Sequence, residues 1–153
     1  MSNILVDDVF VDETNANAIF TVRLDVADIN PITVSYQTDV NTATYSSSQD
    51  FVFTSGTLTF NPGEVSKTVS VSITNNAIAE AIENFELDLF SASVNATIVD
   101  ASALGTIYDN DAPSGTPVVT INDFIVDEAS KEATFVIALD RPSTSVVSMN
   151  YAT

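Results

Sequence analysis

The sequence predicts an all-β chain folded as a sandwich of short strands, and three observations carry that prediction. Short segments rich in Val, Ile, Thr, Phe and Tyr alternate apolar with polar positions, which is the two-residue period of a half-buried strand. Turn formers punctuate them, most clearly Asn61-Pro62-Gly63-Glu64, where Pro presets φ and Gly accepts positive φ. Helical periodicity is scarce: Ala77–Ala81 could form one turn inside a connection, too little to change the class.

Taken in order, strand A is expected at about 4–12 and strand B at about 17–27, where AIFTVRLDV alternates clearly. Strand C falls near 32–38 and D near 51–60, interrupted at Ser55-Gly56. After the 61–64 turn, E is expected at about 66–74, F at 84–92 and G at 104–108. Seven short antiparallel strands at this spacing predict an immunoglobulin-like β-sandwich. An internal repeat sets the domain organisation. ILVDDVFVDE at 4–13 aligns with VTINDFIVDE at 119–128, and the match runs on through Phe20/Phe135, Leu24/Leu139 and Tyr36/Tyr151 at a constant offset of 115. The expected division is therefore one complete copy at 1–111, a Pro/Gly-containing linker at 112–117, and strands A to C of an incomplete second copy at 118–153.

Composition narrows the function. The apolar fraction is 45%, enough for a core, so a net charge of -17 does not imply disorder. The 21 acids face only Arg23, Lys67, Lys131 and Arg141, too few and too scattered to grip phosphates, so neither nucleic acid nor an anionic membrane surface is an expected partner. With no Cys and no His, disulfides, thiolate zinc sites and the commonest general base are all missing. An enzyme is not expected. No apolar run reaches ~18 residues, so no membrane insertion is expected. MSNILVDD lacks the basic and apolar regions of a signal peptide. Export to the outside of the cell, which the overall reading favours, would need a signal beyond this segment.

The favoured partners of so acidic a surface are cations, and strand alternation says where they would bind. If strands alternate up and down, the A–B, C–D and E–F loops and the segment after G share one pole. That pole receives Asp12, Glu13, Asp39, Asp50, Glu80, Glu83, Asp109 and Asp111, with Asn75, Asn76 and Asn110, whereas the other receives Asp28, Glu64 and Asp100. Crowded carboxylates repel one another unless something neutralises them. Oxygen ligands in flexible loops suit calcium, which takes six to eight at variable geometry, better than magnesium with its tight octahedron. Any single acidic residue in a loop is usually just solvated, and Asp12 and Asp39 are read that way.

Two stretches, GTLTFNPGEVSKTVSVSITNNAIAEAIENFELDL at 56–89 and GTIYDND at 105–111, resemble the Calx-beta domain family, and the resemblance covers all of copy one and strands A to C of copy two. It implies a sandwich that gathers calcium at one end. Carried over position by position, it implies ligands at Glu13, Asp50, Asn75, Asn76, Glu80, Glu83, Asp109, Asn110 and Asp111, with a backbone carbonyl from Ile78. Asn75 and Asn76 stand where calcium-sensing members carry acids, and Asn110 is also neutral. Fewer ions or weaker binding are therefore expected, towards the ~10⁻⁴–10⁻³ M of extracellular modules. Glu13, Asp50, Glu83, Asp109 and Asp111 lead the set. The implied function is a structural or adhesive module of an extracellular tandem-repeat protein, with calcium stiffening the junction between neighbouring repeats. A calcium-sensing regulatory domain is the rival reading.

Other signals carry less. Asn95-Ala96-Thr97 matches a glycosylation sequon, a pattern short enough to arise by chance. Glu80 and Glu83 as a glycoside-cleaving pair lack an aromatic cleft, and Lys67 reads as a surface charge rather than an isopeptide partner. The broken second copy would leave strand edges unpaired, so a homo-oligomer or filament built by strand addition is a further expectation.

Overall fold

Inward-facing residues at every second position close two sheets over one core. The computed structural model describes residues 1–45, 50–111, 117–121, 135–140, 143 and 145–152. One sheet has the order β6-β3-β1-β8, from β1 (Ser2–Val6), β3 (Asn17–Leu24), β6 (Ser66–Ser72) and β8 (Ala96–Ile98). The facing sheet has the order β2-β9-β7-β4-β5, from β2 (Val9–Asp12), β4 (Ile32–Val40), β5 (Ser55–Phe60), β7 (Glu83–Phe90) and β9 (Ser102–Tyr108). The predicted all-β sandwich is what forms. No helix among the described residues is long and apolar enough to cross a membrane.

The alternation is visible residue by residue: Ala18, Phe20, Val22 and Leu24 of β3 are buried, as are Phe85, Leu87 and Leu89 of β7. Phe51 stacks on Phe85 with ring centroids 4.5 Å apart, and Phe20 meets Phe85 edge-on at 5.6 Å. Gly105 makes room for this cluster, since a Cβ there would lie 2.5 Å from the Phe85 ring. The predicted turn is present too, with Gly63 at φ 87 and the Glu64 N–H donating to the Asn61 carbonyl at 2.9 Å.

Several details differ from expectation. Strand A is two strands: β1 pairs antiparallel with β3, and β2 pairs parallel with β9. The reason lies in the apolar phase, which runs through Ile4 and Val6 and then slips to Val9 and Val11, so the chain changes sheets at Asp7-Asp8. Strand β8 was not foreseen, because three residues carry no readable period; it pairs parallel with β1. Strand D begins only at Ser55, while Phe51 makes an isolated bridge to Ile73 across to the other sheet's end. Residues 77–81 form no helical turn.

Behind the sandwich, β10 (Val119–Ile121) and β11 (Ile137–Leu139) pair antiparallel. Their register repeats that of copy one at the offset of 115: Ile4 faces Leu24 as Val119 faces Leu139. The closing bonds repeat as well. Asp25 takes the Asn3 N–H on its carboxylate at 2.7 Å, and Asp140 takes the Val118 N–H at 2.6 Å. No strand forms over 147–152, the counterpart of the first part of β4. The linker residues 112–116 and all of 122–134 lie outside the described residues.

Candidate metal centre

The parallel pairing of β2 with β9 builds half of the acidic pole. Asp12 sits opposite Tyr108, and the Glu13 N–H donates to the Tyr108 carbonyl at 2.9 Å, so Glu13 and Asp109 emerge side by side. The other half hangs from the aromatic core. Asp50 precedes Phe51 and Glu83 lies two residues before Phe85, so the stacked rings fix where both carboxylates leave the sandwich. Backbone bonds lace these loops together: Thr42 and Ala43 donate to the Asn84 carbonyl at 2.9 and 2.8 Å, and Thr74 donates to the Asp50 carbonyl at 2.9 Å. The Thr44 N–H holds one Asp50 oxygen at 2.6 Å, and the Thr106 hydroxyl holds the Asn84 side-chain oxygen at 2.9 Å.

Six carboxylates converge there as two triads. Glu13, Asp109 and Asp111 form one and Asp50, Glu80 and Glu83 the other, with one oxygen from each residue within 4.8 Å of the others in its triad. Two oxygens on one calcium, each at 2.3–2.6 Å, are at most about 5 Å apart, so both triads have the right span. Burial sharpens the point. Glu13, Asp50 and Asp109 are only 3%, 4% and 4% exposed. Glu13 Oε2, Asp50 Oδ1 and Asn110 Oδ1 are buried with no hydrogen-bond partner. Buried acceptors without partners are rare because each forfeits its hydration. Here they gather at one pole beside unneutralised charge, and a hard cation is the group that would satisfy them.

The electrostatics agree. Burial raises the Glu13 pKa above its ordinary value, opposed by the Asn76 N–H and reinforced by Asp109, Glu80 and Asp111. Burial, then the charges of Asp50 and Glu80, push Glu83 up to about 7. Neither described cation comes to their aid. Arg23 of β3 is ion-paired with Asp7, and Lys67 of β6 with Glu64 at 2.8 Å, in the connections between strands at the opposite pole.

Each expected site residue has a definite place. The six carboxylates converge. Asn76 lies between the triads, its Oδ1 accepting the Ile78 N–H at 2.6 Å and its Nδ2 donating to Glu13 at 3.0 Å and Glu80 at 3.3 Å. Asn110 turns a buried oxygen inward, whereas Asn75 is exposed and, among the described residues, makes no hydrogen bond. Ile78 is exposed beside Asn76. Asp12 and Asp39 stay outside the triads as expected, Asp12 capping Thr14 and Asp39 taking the Val40 N–H. Sequence reasoning did not find Thr44, Thr42 or Asn84, which aim the carboxylates; nothing in a Thr- and Asn-rich loop marks which residue will do so.

A family model for the Calx-beta domain matches residues 2–111. The chain belongs to the Calx-beta domain family. Among curated relatives, sodium/calcium exchanger 1 of Bos taurus is 36% identical over 99 residues, 61% of this chain and 10% of the exchanger. The exchanger 1 of Mus musculus is 34% identical over 118 residues, 74% of this chain and 11% of its own. The chain thus spans about a tenth of the length of these relatives. Among solved structures, the apo-form Calx CBD1 domain superposes with a TM-score of 0.62 at 24% identity, covering 72% of this chain and 98% of that one. The calcium binding domain CBD12 of CALX1.1 gives 0.67 at 23% identity, covering 78% and 50%. At such identities the likeness establishes the sandwich fold, and the family match stands on the sequence.

Proposed function

We propose that this Calx-beta chain is a non-catalytic calcium-binding module whose ions are held by the two carboxylate triads. The observation that carries the reading is the set of buried, partnerless oxygens on Glu13, Asp50 and Asn110 inside a cluster that no described cation neutralises. Glu13, Asp109 and Asp111 would hold one ion, and Asp50, Glu80 and Glu83 another. Asn110 supplies a neutral oxygen, and Asn75 and the Ile78 carbonyl remain candidates within the same loop. Calcium supplies only positive charge and flexible coordination. The chain's part is to hold its carboxylates together, and the ion's charge would favour their deprotonated form.

The domain division proposed is a sandwich at 1–111, a linker at 112–117 and the start of a neighbouring repeat at 118–153; the repeated register of β10 and β11 supports it. We place the mechanical role at that junction. The Tyr108 hydroxyl lies 3.0 Å from the Thr120 hydroxyl. A cavity of about 390 Å³ separates Phe10, Val11 and Tyr108 from Val136, Ala138 and Leu139 of the second repeat. Because Asp109 and Asp111 lie just after Tyr108, an ion held by them and Glu13 would tie the end of β9 to the end of β2 and stiffen the joint. The setting proposed is an extracellular tandem-repeat protein with a structural or adhesive role. Small-angle scattering with calcium and with chelator tests the joint: equal interdomain flexibility in both would contradict it.

A second reading, a calcium-responsive regulatory domain, draws its support from the identity to sodium/calcium exchangers. It predicts a change of shape over a narrow calcium range rather than gradual stiffening. Assembly into a filament by strand addition draws support from exposed Val118, Ile121 and Tyr151, and a monodisperse monomer in light scattering at high concentration would exclude it.

A further inference from the structure

We infer that Asn76 is a neutral strut that holds the two triads together without metal and thereby limits how tightly calcium binds. The inference rests on the calcium-binding reading for its second half only. Both ends of the Asn76 amide are fixed by chemistry. Its Oδ1 faces a backbone N–H, that of Ile78 at 2.6 Å, and its Nδ2 faces carboxylate oxygens of Glu13 at 3.0 Å and Glu80 at 3.3 Å. Rotating the amide would set oxygen against two carboxylates and nitrogen against an N–H, so only one orientation satisfies all three partners. The Asn76 backbone N–H adds a second bond to Glu13, at 3.2 Å.

The position of those contacts is what gives the residue its role. Glu13 belongs to one triad and Glu80 to the other. A single NH₂ group therefore donates across the gap between two clusters that otherwise repel. It is the one side-chain donor seen bridging them among the described residues, beside the backbone bond from Glu80 N–H to Asp109, and with the described Arg and Lys side chains engaged elsewhere it takes the place a counter-ion would hold. In this orientation Asn76 offers calcium nitrogen, not oxygen. It stabilises the metal-free pole while withholding a ligand and a negative charge from the metal-bound one. Stability without calcium and affinity for calcium are thus set against each other at one side chain.

Asn76→Asp separates the two effects. The carboxylate keeps an oxygen for the Ile78 N–H and replaces the bridging NH₂ by a charged oxygen, at nearly unchanged volume. The full chain is melted in chelator and titrated with calcium by calorimetry, for wild type, Asn76→Asp and Asn75→Asp. Asn75 is exposed and, among the described residues, makes no hydrogen bond, so it controls for added charge. The expected result is a lower melting temperature for Asn76→Asp in chelator and calcium affinity higher by on the order of tenfold, since affinity follows ligand charge count. Asn75→Asp, which adds the same charge to the same loop without breaking the bridge, should lower the melting temperature in chelator less than Asn76→Asp. If Asn76→Asp melts no lower than Asn75→Asp in chelator, or binds calcium no tighter than wild type, the strut is refuted. Absence of calcium heat in wild type refutes the calcium reading instead, and the chelator melts still decide whether Asn76 braces the metal-free pole.

Discussion

The two poles of the sandwich carry the same kinds of acidic residue in opposite conditions. At the pole away from the triads, Glu64 is held below its ordinary pKa, first by its hydrogen bond to Lys67 and then by the Asn61 N–H. Asp28 there is lowered by the Asn30 N–H and the Asn95 amide. Asp100 departs from the pattern, raised by burial and by Asp8 and Asp7, though it takes a backbone bond from Ser102. At the other pole, Glu13 and Glu83 are both raised, and buried oxygens go unpartnered. Acids that serve the fold are satisfied by it. Acids left in deficit by the fold are waiting for something the chain does not contain, and that contrast, more than acidity, marks the site.

The largest effect should come from the core beneath the deficient pole. Phe85→Ala removes the ring that stacks on Phe51, and truncating a buried Phe costs about 3–5 kcal/mol. Chemical denaturation should report that loss, with calcium affinity falling as Asp50 and Glu83 lose their footing. Next is calcium itself. At a concentration a hundredfold above Kd it should stabilise the chain by about 2.7 kcal/mol, or roughly 5–11 °C in melting temperature at about 2–4 °C per kcal/mol for a chain of this size. Exchanging single acids between poles should then give opposite signs. Glu83→Gln relieves repulsion and should raise the melting temperature in chelator while shrinking the calcium response. Glu64→Gln breaks a satisfied pair, and should lower the melting temperature and leave the calcium response intact.

The smallest predicted effect is the pH dependence without metal. Glu83 sits at about 7 against an ordinary 4.5, so between those values the folded chain binds more protons than the unfolded one. Stability in chelator should therefore rise as pH falls from about 7 towards 4.5, the reverse of a salt-bridged carboxylate. Calcium binding should weaken over the same window because protons compete for the ligands. Melting curves in chelator that show stability falling with acid across that window would place the Glu83 carboxylate in a different environment.

Much of this was legible in the sequence. Strand alternation announced the sandwich, and loop parity alone gathered Glu13, Asp50, Glu80, Glu83, Asp109 and Asp111 at one pole. What parity could not supply was distance. The division into triads depends on β2 lying parallel to β9, and that pairing is hidden in a phase slip between Val6 and Val9 that reads as one strand. The role of Asn76 was equally hidden, because residue type marks it as a weak ligand while only geometry reveals which atom faces the carboxylates. Strand β8 escaped for want of length.

The measurement that bears most directly on the contrast between poles is calorimetric titration of calcium into the full chain, paired with melting in calcium and in chelator. Binding heat, a higher melting temperature in calcium, and loss of both in a Glu13→Gln/Glu83→Gln double variant are the expected results. A chain that takes up no calcium and melts identically in both buffers would contradict the account, leaving two carboxylate triads, three of whose six members are buried, that the fold maintains without a counter-ion.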